Sequence, residues 1–309
     1  MTTPDDAPPI VDAHQHFWDP RVHYHPWLCD EPPPPFRYGD TRPLRRPYLP
    51  EDYRRDATGH PVVGTVYVEA EWDSRDPLGE TRWVEGLAAA HGLPSAIVAQ
   101  AWLHREDAAE VLAGQAARPL VRGVRHKPAA APGPGPRGGE APRGAPGSMD
   151  DPRWRAGYAL LARHGLSFDL QTPWWHLEAA AELARDFPGT PIVLNHTGLP
   201  ADRSAEGLAG WRRALGTLAA LPHVALKISG LGLPGRPWTV ADNAPVVREA
   251  LAIFGVERCL FASNFPVDGL VASFDTIYRG FQAIVAHLPP AQQRALFHDN
   301  AVRVYRLDR

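Results

Sequence analysis

Eight short runs of β-branched and other apolar residues recur along the chain, separated by Ala- and Leu-rich stretches with helical spacing. The runs are IVDAH (10–14), VVGTVYV (62–68), SAIVAQAWL (95–103), LVRGVRH (120–126), LSFDLQ (166–171), PIVLNH (191–196), HVALKIS (223–229) and RCLFASN (258–264). Several of the stretches between them, such as ETRWVEGLAAAHG and APVVREALAIFG, end in the glycine that closes a helix. A helix after each of eight parallel strands rolls the sheet into a closed (β/α)8 barrel of the α/β class, the TIM-barrel architecture. The 309 residues suit one such domain spanning 1–309.

Two segments break the alternation. A Pro- and Arg-rich connection at 18–60 follows the first run, and KPAAAPGPGPRGGEAPRGAPGS at 127–148 follows the fourth; the latter reads as a mobile insertion or a lid. A net charge of −3, with both signs interspersed, offers no basic footprint for nucleic acid. No apolar run approaches a membrane span and the first ten residues lack a signal-peptide pattern, so a cytoplasmic protein is expected. Cys29 and Cys259 are far apart and outside any CxxC pattern, which indicates neither a disulfide framework nor a thiolate zinc site. The expected partner is a small-molecule substrate rather than nucleic acid or a membrane, and the sequence leaves room for a homo-oligomer.

In a barrel of this kind the carboxyl ends of the strands form the active-site face, so the polar residues closing each run carry the functional information. The first run delivers His14 and His16, which a strand would present on one side. The second ends in Glu69 and Glu71, the fourth in Arg125, His126 and Lys127, and the fifth in Asp169 and Gln171. The sixth ends in Asn195 and His196, the seventh in Lys227 and Ser229, and the eighth in Ser263 and Asn264, with Asp268 just beyond. Ionisable groups repeated at buried strand ends are costly unless they serve a site, so the ring reads as a catalytic face. Phe17, Trp18, Trp27, Trp174 and Trp175 lie next to these ends, and Trp18 and Trp174 are expected in an apolar substrate wall.

The segments IVDAHQHFWDP, YVEAEWD, RGVRH, GLSFDLQ, NHTGLP, LKISGL, FASNFPVD and HDNAVRVYRL together resemble the amidohydrolase-related family (amidohydrolase 2) of barrel hydrolases, which includes fuconolactonase and other sugar lactonases. The resemblance spans nearly the whole chain. It implies His14, His16 and His196 as catalytic residues that polarise a carbonyl, either directly or as ligands of one divalent metal, zinc being the expected ion. It leaves a metal-independent enzyme open. Glu69, Arg125, His126, Gln171, Lys227 and Asn264 are then expected to bind substrate.

One departure from the family pattern bears on the chemistry. Where the lactonases carry SDWP, this chain reads SNFP, so the expected acid falls on Asn264, which is neutral and cannot act as a base. Asp268, four residues on, is the expected catalytic replacement, with Glu69 and Glu71 as further acids and a helix cap as its competing role. A second HxH at His23 and His25 is expected in a surface or lid role. The function expected is a lactonase-like hydrolase of a small cyclic ester. A decarboxylase or other lyase, or a barrel that binds a small molecule after losing catalysis, are the alternatives.

Overall fold

The computed structural model describes residues 8–134 and 144–307. Eight strands lie in one sheet in sequence order, every neighbouring pair parallel. They are β1 (Ile10–Gln15), β2 (Val62–Val68), β3 (Ala96–Gln100), β4 (Val121–Arg125), β5 (Ser167–Leu170), β6 (Ile192–Leu194), β7 (Val224–Ile228) and β8 (Cys259–Phe261). Each coincides with one of the eight apolar runs, and the third run is cut back to its first half because Ala101 to Leu103 leave the sheet.

The sheet curls into a nearly closed barrel. Its seam is joined past the end of β8, where Asn264 N–H donates to His14 O and His16 N–H donates to Phe265 O, each at 2.8 Å. Small and β-branched side chains such as Val11, Ala13, Val66, Val98, Ala225 and Ala262 fill the barrel, and Tyr305 plugs it from the C-terminal segment. A second, larger core of Leu, Phe, Trp and Tyr packs the outer faces of the strands against the helices. Those helices include α1 (Pro77–His91), α2 (Ala108–Ala116), α3 (Leu177–Asp186), α4 (Ala205–Ala219), α5 (Val240–Phe254) and α6 (Phe274–Val285).

The connection after β1 is not featureless. It carries short helices at Pro26–Cys29 and Pro50–Asp56 and folds back over the C-terminal mouth, where Trp18 N–H and Tyr48 N–H exchange bonds with each other's carbonyls. The expected mobile stretch at 127–148 falls in part on 135–143, which lies outside the described residues; its flank is tied down by Trp175 Nε1, which donates to Ala131 O at 2.9 Å. Among the described residues no helix is long and apolar enough to cross a membrane.

Candidate active site

The site begins with an irregularity in β1. Val11 and Ala13 face the barrel interior, while Asp12 bonds to Tyr53 and Gln15 to Thr65 on the opposite side. An odd separation on one face requires the register shift that the strand shows between Asp12 and Gln15. The shift turns both His14 and His16 inward, and their Nε2 atoms lie 3.2 Å apart. His196, at the end of β6, joins them with its ring centroid 4.6 Å from that of His14.

Hydrogen-bond partners fix two of the tautomers. Val68 O, 2.7 Å from His16 Nδ1, can only accept, so Nδ1 carries the hydrogen and Nε2 is bare. Lys227 Nζ, 3.5 Å from His14 Nδ1, has only hydrogens to offer, so His14 accepts at Nδ1 and carries its hydrogen on Nε2. The two assignments agree: His14 Nε2–H donates to His16 Nε2. Burial holds the pKa of His16 down at about 3, aided by the positive charge of Arg125. Burial likewise lowers His14 and His196 well below the usual range, with Lys227 adding to the effect on His14 and Arg37 on His196. All three imidazoles are therefore neutral near pH 7.

Beneath them lies a fully buried ion pair, Lys227 Nζ to Asp169 Oδ2 at 2.6 Å. Asp169 also accepts from Asn195 Nδ2 at 2.9 Å and from Tyr305 O–H at 3.0 Å, which satisfies a carboxylate that burial alone would not tolerate. Above them opens a cavity of about 390 Å³. His16, His196, Asn264, Arg125 and Gln171 form its polar wall, with Glu71 and Lys127 as an ion pair beside them. Trp18, Trp27, Phe36, Leu199 and Val267 form its apolar wall. Backbone strain gathers here: of six non-glycine residues with positive φ among those described, Glu71, His196, Leu199 and Asn264 all line this cavity.

The expected residues do not all arrive. Arg125 reaches the wall, donating to Glu69 Oε1 at 2.5 Å and Gln171 Oε1 at 2.9 Å, and Glu69 stands behind it as its counter-ion. Lys227 and His14 form the floor. His126 does not reach the cavity: its Nδ1 accepts from Trp154 Nε1 at 2.9 Å and Leu103 N–H at 3.2 Å, outside the strands. Trp174 likewise packs beside Gly210 of α4 rather than lining the cavity. Asp268 is held behind Asn264, its Oδ1 accepting from Asn264 Nδ2 at 2.6 Å and from Tyr38 O–H at 3.1 Å. This corrects the expected direct role: the carboxylate orients Asn264 and does not face the cavity. His25 is buried against Ala70 O and His23 stacks on Trp72, so the second HxH braces the first connection. Arg37 and Phe36 also line the cavity and are absent from the residues expected there; their only sequence signal is their place in PPPPFRY, a proline run followed by alternating aromatic and basic side chains.

A model of the family described as amidohydrolase matches residues 11–307. The chain belongs to the amidohydrolase family. Its enzyme class is the one the motifs implied. The amidohydrolase chain is 41% identical to an uncharacterised protein of Sinorhizobium fredii, covering 96% of this chain and 98% of that one. It is 29% identical to an L-fucono-1,5-lactonase of Burkholderia multivorans, covering 96% of each. A crystal structure of a B. multivorans amidohydrolase with bound zinc superposes with a TM-score of 0.78 at 29% identity, covering 97% of this chain and all of that one, 100%.

The donor set here does not match a divalent ion. Among the described residues no group of three or more His, Cys, Asp or Glu side chains is arranged to hold a metal. The eighth strand supplies an amide where a carboxylate would be the anionic ligand, and His14 Nε2, which would have to be bare to bind an ion, carries a hydrogen because Lys227 occupies Nδ1.

Proposed function

We propose that this amidohydrolase is a lactonase-like hydrolase that opens a small cyclic ester with its own side chains. The observation that carries the reading is the pair His16 Nε2 and Asn264 Oδ1, 3.4 Å apart at the cavity wall. Asn264 donates through Nδ2 to Asp268, so its Oδ1 accepts, and His16 Nε2 is bare. Two facing acceptors cannot bond to each other, but a water can displace the His14 N–H from His16 Nε2, give that nitrogen one hydrogen and Asn264 Oδ1 the other, and keep a lone pair aimed outward.

Attack of that water on the ester carbonyl transfers a proton to His16 Nε2. The new N–H then finds Asn264 Oδ1 in place of the hydrogen bond that His14 had given. Arg125 and His196, on the same wall, face the oxygen on which negative charge develops. When the ring C–O bond breaks, the departing alkoxide takes the proton back and His16 returns to its neutral form, releasing a hydroxy acid. Asp268 is a positioning residue in this scheme, since it sets which end of the Asn264 amide meets His16.

The reading is supported by family membership and by the lactonases among the relatives. It is tested by a panel of five- and six-membered lactones followed with a pH indicator, on protein passed through a chelator. Ring opening that survives chelation and falls by about 10²-fold or more in His16→Ala supports it. Activity that disappears on chelation and returns with zinc contradicts the metal-free scheme.

A further inference from the structure

Among the described residues three cationic side chains reach the cavity, and they are not equally neutralised. Arg125 is paired with Glu69 and Lys127 with Glu71, each in direct hydrogen-bond contact. Among the described residues Arg37 has no such partner: its nearest carboxylate oxygen there, Asp268 Oδ1, is 3.6 Å away and already accepts from Asn264 and Tyr38. Its hydrogen bond to Gly230 O is 3.4 Å long. The guanidinium stacks over the Tyr38 ring at 4.5 Å, which steadies its plane, and the side chain keeps 27% of its surface exposed.

The approach of Arg37 is built into the backbone. It reaches across from the connection after β1 to pass over Gly230, where a Cβ would stand 2.8 Å from Arg37 Nη2 and 2.9 Å from His196 Cβ. Gly230 also has φ +62°, so the position both demands a glycine and uses its missing side chain to bring guanidinium and imidazole together. A planar cation beside a candidate catalytic histidine, loosely paired and facing an open cavity, is a receptor for a planar anion.

We infer that the ester opened in this cavity carries a carboxylate, and that Arg37 binds it. The inference rests on the hydrolase reading above for the reaction, though not for the binding.

The experiment compares γ-butyrolactone with the same ring bearing a carboxylate, as substrates of wild type, Arg37→Gln and Arg37→Lys. The carboxylate-bearing ring should be preferred in kcat/KM by about 10- to 100-fold, a preference that Arg37→Gln erases and Arg37→Lys partly restores. Equal use of both rings by the wild type, or a preference unchanged in Arg37→Gln, overturns the inference. Calorimetric binding of the ring-opened dicarboxylate separates this from the reaction itself. If no lactone is opened yet that ligand binds the wild type and is lost in Arg37→Gln, carboxylate binding by Arg37 stands and the hydrolase reading falls. If the ligand does not bind and no lactone is opened, both fall. Should Arg37→Gln fail to fold, competition between the dicarboxylate and a neutral diol of the same length on the wild type decides: equal affinity overturns the inference.

Discussion

Nζ of Lys227 lies 3.5 Å from Nδ1 of His14, at the closed floor of the barrel. Burial pulls the Lys227 pKa down, and the Asp169 carboxylate 2.6 Å away works against that pull and keeps the ammonium in place. The arrangement sets the hydrogen on His14 and, through it, the bare nitrogen of His16.

Lys227→Met should therefore act twice. It strands a buried carboxylate, which costs about 3–5 kcal/mol and lowers the thermal midpoint by several degrees. Lys227→Met combined with Asp169→Asn should recover much of that stability, because the charge is removed with its partner. Activity should not recover, since His14 still lacks the donor at Nδ1. Nitrogen NMR of labelled histidines checks the cause directly: His14 is expected to be protonated at Nε2 in the wild type and to lose that preference in the double variant.

The contact between Asn264 and Asp268 makes a reciprocal prediction. Asn264→Asp replaces a 2.6 Å charge-assisted hydrogen bond with two facing carboxyl groups, and should cost about 2 kcal/mol or more in a chelated buffer. Added zinc should return part of the loss, because the new carboxylate is the ligand that the wild-type site lacks. The exchange Asn264→Asp with Asp268→Asn restores one donor and one acceptor and should melt close to the wild type. Thermal unfolding with and without zinc reads all three.

His126 offers an acid-stability test away from the cavity. Burial lowers its pKa from 6.5 to about 3, with His104 adding to the effect. A folded-state value below the unfolded one favours folding fully above about pH 6.5, and the benefit drains away as pH falls from there toward 3. Protonation would put a hydrogen on the nitrogen that accepts from Trp154 and Leu103. His126→Gln should lower the melting midpoint at pH 7.5 and flatten its decline between pH 6.5 and 4. A decline as steep as that of the wild type would show that His126 contributes nothing to it.

The contrast between His126 and Arg125 shows what the sequence made legible. Adjacent strand residues point to opposite faces, so Arg125 in the cavity already forces His126 out of it, and strict alternation would have removed it from the site. His14 and His16 were legible as a pair for the same reason, although the shift in β1 that aims them was not. Arg37 was not legible, because nothing periodic in a 43-residue connection (18–60) says where its side chains land. Lys227 stood out as a strand-end lysine, but its partner Asp169 sits two strands away on β5, and only closing the barrel joins them. Spacing alone makes Asp268 a replacement acid; the turn after β8 instead puts it behind Asn264, where it directs the amide.

The central step is the addition of water, activated at His16 and Asn264, to a ring ester. The most direct measurement is to run the carboxylate-bearing lactone with chelated enzyme in heavy-oxygen water and weigh the product. One heavy oxygen is expected in the newly formed carboxylate, with no release of carbon dioxide and with loss of the product in His16→Ala. Release of carbon dioxide without oxygen incorporation, or a labelled product formed as fast by His16→Ala as by the wild type, would contradict it.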